Sequence, residues 1–174
     1  MRGFLDELAA RTPTPGGGGA AAVTGALAAG LVAMAARFSA ARLPGAGDLA
    51  DQADELRRRV TDLTDLDARA YQSVLEAGSG QRREALHGAA VVPLEIAEIG
   101  ARVAAMAARL AEAGNPNLRG DAVTGALLAA ASARSAAALV EINVGGREPE
   151  LSRRAAQAVA DACAAADQAA TAGR

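Results

Sequence analysis

Chemistry first shows at Asp67. Leu49, Ala53, Leu56, Val60 and Leu63 recur at alternating steps of four and three, the spacing of a helix–helix seam, and the rhythm continues through Asp67, Ala70 and Val74. A carboxylate on such a seam has to be paired, solvated by a cleft, or protonated, because burying its charge alone is costly. A raised pKa would suit it to proton transfer. A plainer reading stands beside that one. A helix drifts about 20° per heptad, so Leu66 could take the core position while Asp67 turns outward to Arg69 or Arg59.

Other residues carry weaker signals. The run Gly16-Gly17-Gly18-Gly19 precedes a small-residue helix. Its amide N–H groups could hold a carboxylate or phosphate, and its bare Cα atoms could equally let two segments pack closely. Asp121 opens a helix, where its default role is N-cap. Asn115, Asn117 and Asn143 stand at the ends of the same region, places where Asn usually forms turns. His87 reads as a packed or half-exposed helix residue, and Cys163, among alanines, as a small core hydrophobe.

The inventory also excludes chemistry. All 18 basic residues are Arg, so no Schiff-base or P-loop lysine exists. One His and one Cys leave no His/Cys zinc site within a chain, and no metal is expected. No nucleophile elbow accompanies His87. The net charge of −2 is spread along the chain and only three residues are aromatic, which argues against nucleic acid. A lone cysteine and no charged-then-apolar leader suit a reducing cytoplasm. Carboxylate, amide, Arg, hydroxyl and backbone chemistry remain.

The elements that must position these groups are helices. Fifty of the 174 residues are Ala, the strongest helix former, and no stretch alternates with period two. A short helix near Gly3–Arg11 leads to the Pro/Gly segment, and a helix over Ala20–Ala41 follows. Its Ala20–Ala36 part is borderline for spanning a bilayer and reads as a buried helix, not a membrane segment. Leu43-Pro44-Gly45 turns, Asp48 is a plausible N-cap, and the next helix runs over Leu49–Ala77. Another starts near Gln81, with Pro93 expected to kink or restart it, and ends near Ala113. Helices over Asp121–Asn143 and Leu151–Ala170 complete the chain, divided by Gly145-Gly146. The prediction is one all-α domain over residues 1–174, an antiparallel bundle of about five long Ala-rich helices plus a short N-terminal one. A helix of roughly 29 residues would span about 43 Å, more than a compact monomer of this size is wide, so a dimer is expected.

In order along the chain, Pro13-Thr14-Pro15-Gly16-Gly17-Gly18, Asp67-Ala68-Arg69-Ala70-Tyr71, Val92-Pro93-Leu94, and Gly114-Asn115-x-Asn117 running to Asp121 with Ile142-Asn143 together resemble the cyclodeaminase/cyclohydrolase family of folate enzymes. A domain of this family is the partner domain in formiminotransferase-cyclodeaminase. The resemblance implies a helical homodimer acting on a tetrahydrofolate one-carbon adduct, with no metal or other cofactor. Cyclohydrolysis opens 5,10-methenyltetrahydrofolate with water; cyclodeamination closes 5-formiminotetrahydrofolate and releases ammonia. Asp67 matches the family's active-site aspartate. Gly16, Gly17 and Gly18 are implied to line the folate site, with Asn117, Asp121 and Asn143 as substrate-binding candidates. The chain departs from the pattern at Gly19 and Gly120, where the family carries Ser or Ala and Ser. It departs again at Ala40-Ala41-Arg42-Leu43-Pro44-Gly45, in place of a lysine-rich stretch. The lost basic stretch favours the alternative of a non-catalytic helical dimer serving as a binding or scaffold module, whereas retention of Asp67, the glycine run and Asp121 favours the folate enzyme.

Overall fold

The computed structural model describes residues 1–173 and places six α-helices in chain order: α1 (Arg2–Leu8), α2 (Gly17–Arg37), α3 (Ala46–Glu76), α4 (Arg82–Ala113), α5 (Arg119–Val144) and α6 (Pro149–Thr171). A single 3₁₀ turn over Pro116–Leu118 leads into α5, and there is no strand among the described residues. The expected all-α bundle is what forms.

Helix direction alternates because each connection is short. Arg37 at the end of α2 pairs with Asp54 near the start of α3. Asn143 at the end of α5 reaches Ala89 near the start of α4. Arg154 pairs with Glu98, and Gln168 bonds Glu112, so α6 runs parallel to α4. In cross-section α2, α4 and α5 form the centre, α3 covers the α2–α4 groove, and α6 covers the α4–α5 groove.

Alanine and glycine set the spacing. The core is a continuous cluster of mostly Ala, with Leu63, Ile96, Val32, Val60, Val103 and Val140 as its largest fully buried members. Small side chains let backbones approach: a Cβ on Gly100 would stand 2.9 Å from the Ala129 carbonyl oxygen of α5. Ser132, buried on α5, donates to the Ala21 carbonyl of α2 at 2.8 Å. The α3 seam Leu49–Ala53–Leu56–Val60–Leu63 is buried throughout, as its spacing predicts.

Several boundaries differ from expectation. α2 begins at Gly17, inside the glycine run, and ends at Arg37. α3 begins at Ala46, so Asp48 sits in its first turn and is not its cap. α4 runs unbroken through Pro93, because a neighbouring helix supplies the partner that proline removes. Gly145, at φ +53°, ends α5 in the left-handed region where expected. α2 and the Pro116–Val144 segment are long and apolar enough to cross a membrane, but about half of each is buried inside the bundle.

Candidate functional site

α2 starts without the usual help. Its N-cap is Gly16, with no side-chain cap and no acidic residue in the first turn. The missing acceptor arrives from another helix. Asp67, two-thirds along α3, places its carboxylate against Gly18, with the Gly19 N–H beside it. A Cβ on Gly18 would overlap the Asp67 carboxylate, so any side chain there would displace it. Close packing, one of the two open readings of the glycine run, applies to two of its members. Gly18 and Gly19 are buried and let α3 approach, while Gly17 is exposed and Gly16 half-buried at the edge of a cleft.

Asp67 is half-buried and so is Leu66, which packs on the core. Helical drift has shared the seam between them. Burial pushes the Asp67 carboxyl above the ordinary carboxylate range, and the Gly19 N–H draws it part of the way back. Neither Arg59, paired to Glu95, nor Arg69 makes an ion pair with it. The result is a carboxyl group with an N–H donor on one side and a cleft on the other.

That cleft has a volume of about 290 Å³. Gly16, Gly17, Gly18 and Asp67 form one wall, with Pro13 and Thr14 above them; Leu139, Ile142 and Asn143 from α5 form the other, closed by Ala89 and Tyr71. Tyr71 stands one turn beyond Asp67 on α3, and with Ile142 it offers an exposed apolar edge at the mouth, 44% and 72% accessible respectively. Flat, partly apolar, cationic or amide-bearing ligands suit such a cleft: apolar edges for a ring, one carboxylate for a proton or positive charge.

Asn143 is tied to proline chemistry. Pro93 has no N–H, so the Ala89 carbonyl one turn earlier lacks its helical donor. The Asn143 side-chain amide donates to that carbonyl at 2.7 Å. The bond satisfies the carbonyl left by Pro93 and orients Asn143 beside the cleft.

The remaining candidates lie elsewhere. Asn117 and Asp121 sit at the start of α5, whereas Asn143 is near its end, and Asp121 to Asn143 spans about 33 Å of helix. Within one chain they do not meet Asp67. Asn117 is exposed, Asp121 is half-buried in the first turn of α5, and neither side chain makes a hydrogen bond among the described residues. Asp121 is not the N-cap expected of it, because α5 begins two residues earlier at Arg119. Asn115, by contrast, is structural: its side chain donates to the Phe38 carbonyl (3.1 Å) and accepts from the Asn117 N–H (3.0 Å), pinning the α4–α5 turn to the end of α2. Gly19 has only ordinary contacts for a Cβ, the nearest at 3.4 Å, and Gly120 has open space, so either position could carry a small side chain. His87 is exposed and bonded to Glu148 at 2.6 Å, away from the cleft. Cys163 is half-buried at the edge of α6, less enclosed than its alanine context suggests. Tyr71, Leu139 and Ile142 were not picked out as site residues by spacing. Their signal was adjacency, one turn from Asp67 and beside Asn143.

The chain is similar to known proteins. The family model described as formiminotransferase-cyclodeaminase matches residues 1–162. A methenyltetrahydrofolate cyclohydrolase of Methylorubrum extorquens is 35% identical over 82% of this chain and 78% of its own length. A formimidoyltransferase-cyclodeaminase of Mus musculus is 33% identical over 66% of this chain, which spans only 25% of that relative. A solved formiminotetrahydrofolate cyclodeaminase of Thermotoga maritima superposes with a TM-score of 0.92 at 27% identity, covering 97% of this chain and 92% of the other.

Proposed function

The chain belongs to the formiminotransferase-cyclodeaminase family, and on that premise we propose that it is a folate one-carbon enzyme, a methenyltetrahydrofolate cyclohydrolase that works as a homodimer with Asp67 as its proton-transfer residue. The observation that carries the reading is the Asp67 carboxyl, half-buried against Gly18–Gly19 and open on its other side to a cleft edged by Tyr71, Ile142 and Asn143. The name of the relative from Methylorubrum extorquens supports hydrolysis over deamination, since most of each protein is covered in that match.

The chemistry asks little of the protein beyond one acid/base group and a dry wall. The methenyl carbon of the substrate bridges two nitrogens and carries a delocalised positive charge. Ionised Asp67 favours that charge and takes a proton from a water molecule as the water oxygen bonds to the carbon. The tetrahedral adduct then breaks its carbon–N5 bond, and the proton returns from Asp67 to N5. The product is 10-formyltetrahydrofolate and one proton goes to solvent. A carboxyl raised by burial is a better base than an ordinary one and a ready donor in the second step. Gly16–Gly18 present backbone with no side chain to obstruct a flat ring.

The test is loss of the substrate's near-ultraviolet absorbance on addition of the chain. Acceleration over buffer is expected, and Asp67→Asn should lower it by roughly 10²–10⁴-fold with helical content unchanged. The solved relative named a cyclodeaminase favours a second reaction in the same cleft: attack of N10 on a formimino carbon with ammonia leaving. Ammonia release from 5-formiminotetrahydrofolate would assign it. No acceleration with either substrate would sink the enzyme reading and leave a binding module of the same fold.

A further inference from the structure

Threonine inside a helix has a ready use for its hydroxyl, the backbone carbonyl one turn back. Thr24 donates to Ala20 at 2.8 Å, Thr61 to Arg57 at 2.7 Å, Thr124 to Gly120 at 2.8 Å and Thr171 to Asp167 at 3.0 Å. Thr64 is the exception. Its Oγ1 is buried and has no hydrogen-bond partner among the described residues, so the Val60 carbonyl four positions back goes unused by it. An enclosed hydroxyl in that state is costly, because the water it gave up has not been replaced.

Thr64 stands three residues before Asp67 on α3, and positions three apart on a helix are neighbours, about 5–6 Å between Cβ atoms. Helical side chains lean toward the N-terminus, which carries the Asp67 carboxyl toward Thr64. The two also meet adjacent residues of α2. The Thr64 methyl, Cγ2, lies 3.5 Å from where a Cβ on Gly19 would be, and the Asp67 carboxylate overlaps the matching place on Gly18. No charged side chain other than Asp67 lines the cleft. α2 has no ionisable side chain before Arg37, α4 brings Ala89, and α5 brings Leu139, Ile142 and Asn143. The flanking charges on α3, Asp65 and Arg69, are exposed, as are Arg2, Asp6 and Glu7 of α1. Tyr71 is the one other titratable group in the lining.

We infer that Thr64 is a positioning residue for Asp67: a turn about its Cα–Cβ bond brings the spare hydroxyl to one oxygen of the Asp67 carboxyl. Threonine has two populated side-chain wells in a helix, so the turn needs no movement of the backbone. Donation to one oxygen leaves the other to take the proton from water and return it to N5. Thr64 itself gains and loses no proton; it is the third group that aims a base. Its bond is stronger to the ionised carboxylate than to the neutral acid, so it offsets part of the effect of burial and keeps the base ionised at lower pH.

The inference rests on the proposed reaction for its catalytic consequence, but the pairing can be read without a folate. In protein carrying ¹³C at the aspartate carboxyls, the Asp67 resonance, identified by its absence in Asp67→Asn, is titrated by NMR. Thr64→Val keeps the shape and drops the hydroxyl. It should raise the Asp67 midpoint by about one pH unit, a tenfold change in the ionisation constant, and Thr64→Ser should leave it near the native value. With methenyltetrahydrofolate, Thr64→Val should lower kcat roughly tenfold at unchanged KM and move the acid limb of the rate profile to higher pH; Thr64→Ser should restore both. A hydroxyl stranded by packing alone behaves otherwise. Its removal stabilises the chain or leaves it unchanged, with the Asp67 midpoint unmoved, and that result overturns the proposal whether or not the chain is active. A raised midpoint in a chain inactive on both folates would sink the reaction and keep the pairing. Should Thr64→Val not fold, Thr64→Ser and Thr64→Ala have both lost the methyl and differ in the hydroxyl alone, and equal Asp67 midpoints in those two overturn the pairing.

Discussion

Asp67 is raised by burial while Gly19 lowers it less, and that direction fixes how stability depends on pH. Below pH 3.8, the ordinary value for this group, folded and unfolded chains both hold the proton. As pH rises past that point the unfolded chain gives up its proton first, so stability falls until the folded carboxyl has ionised too. Asp67→Asn removes the loss, since an amide has no charge to desolvate. Thermal unfolding followed by circular dichroism should give equal midpoints for the two proteins in the acid range and a higher midpoint for the variant at pH 7. A lower midpoint at pH 7 would mean that ionised Asp67 holds the fold together. Activity should show the opposite preference: as a base Asp67 must be ionised, so the rate falls as pH drops through its raised value. This residue was legible in the sequence because a carboxylate interrupts an apolar rhythm. The role of Gly18 was not, since the overlap that forbids a side chain there comes from a residue 49 positions away.

At the scale of elements, α4 and α5 depend on one another through Pro93 and Asn143. Proline inside a helix predicts a break, and the break fails to appear because Asn143 satisfies the Ala89 carbonyl at 2.7 Å. Asn143→Ala should destabilise the chain by about 1–3 kcal/mol, the cost of an unsatisfied buried acceptor. In a Pro93→Ala background the restored N–H at residue 93 supplies the missing bond, so the same change should cost well under half as much. Urea titrations of the four proteins measure the coupling; equal costs in both backgrounds would refute it. Gly18→Ala acts on the α2–α3 contact instead. It forces Asp67 aside, and activity should fall at least as far as thermal stability does. Helix existence and order were readable from alanine content and seam spacing. Helix ends were less so, because α2 borrows its N-terminal acceptor from α3, and α4 borrows a donor from α5. Long-range partners of this kind leave no local mark.

For the whole molecule, helix length and surface chemistry converge. α4, at 32 residues, reaches about 48 Å, and the bundle buries its centre with alanine while leaving Leu27, Leu127 and Ile142 in the open. A sequence that spends few large apolar residues on its core and sets several outside gains from burying them against a partner. Motif reading brought Asn117 and Asp121 into one list with Asp67, whereas the fold of a single chain holds them at opposite ends. If two copies pair as the proposed homodimer through the exposed Leu27 and Leu127 of α2 and α5, folding and association are linked, and the thermal midpoint depends on concentration. A hundredfold increase in protein should raise it by roughly 2–5 °C. Leu127→Arg, a charge set into an apolar interface, should remove this dependence, give a species of half the native mass in sedimentation, and leave helical content in place. Leu75→Arg, exposed on α3 and outside both α2 and α5, serves as the control and should change neither. A midpoint independent of concentration in the native chain would mean that the exposed seam has no partner.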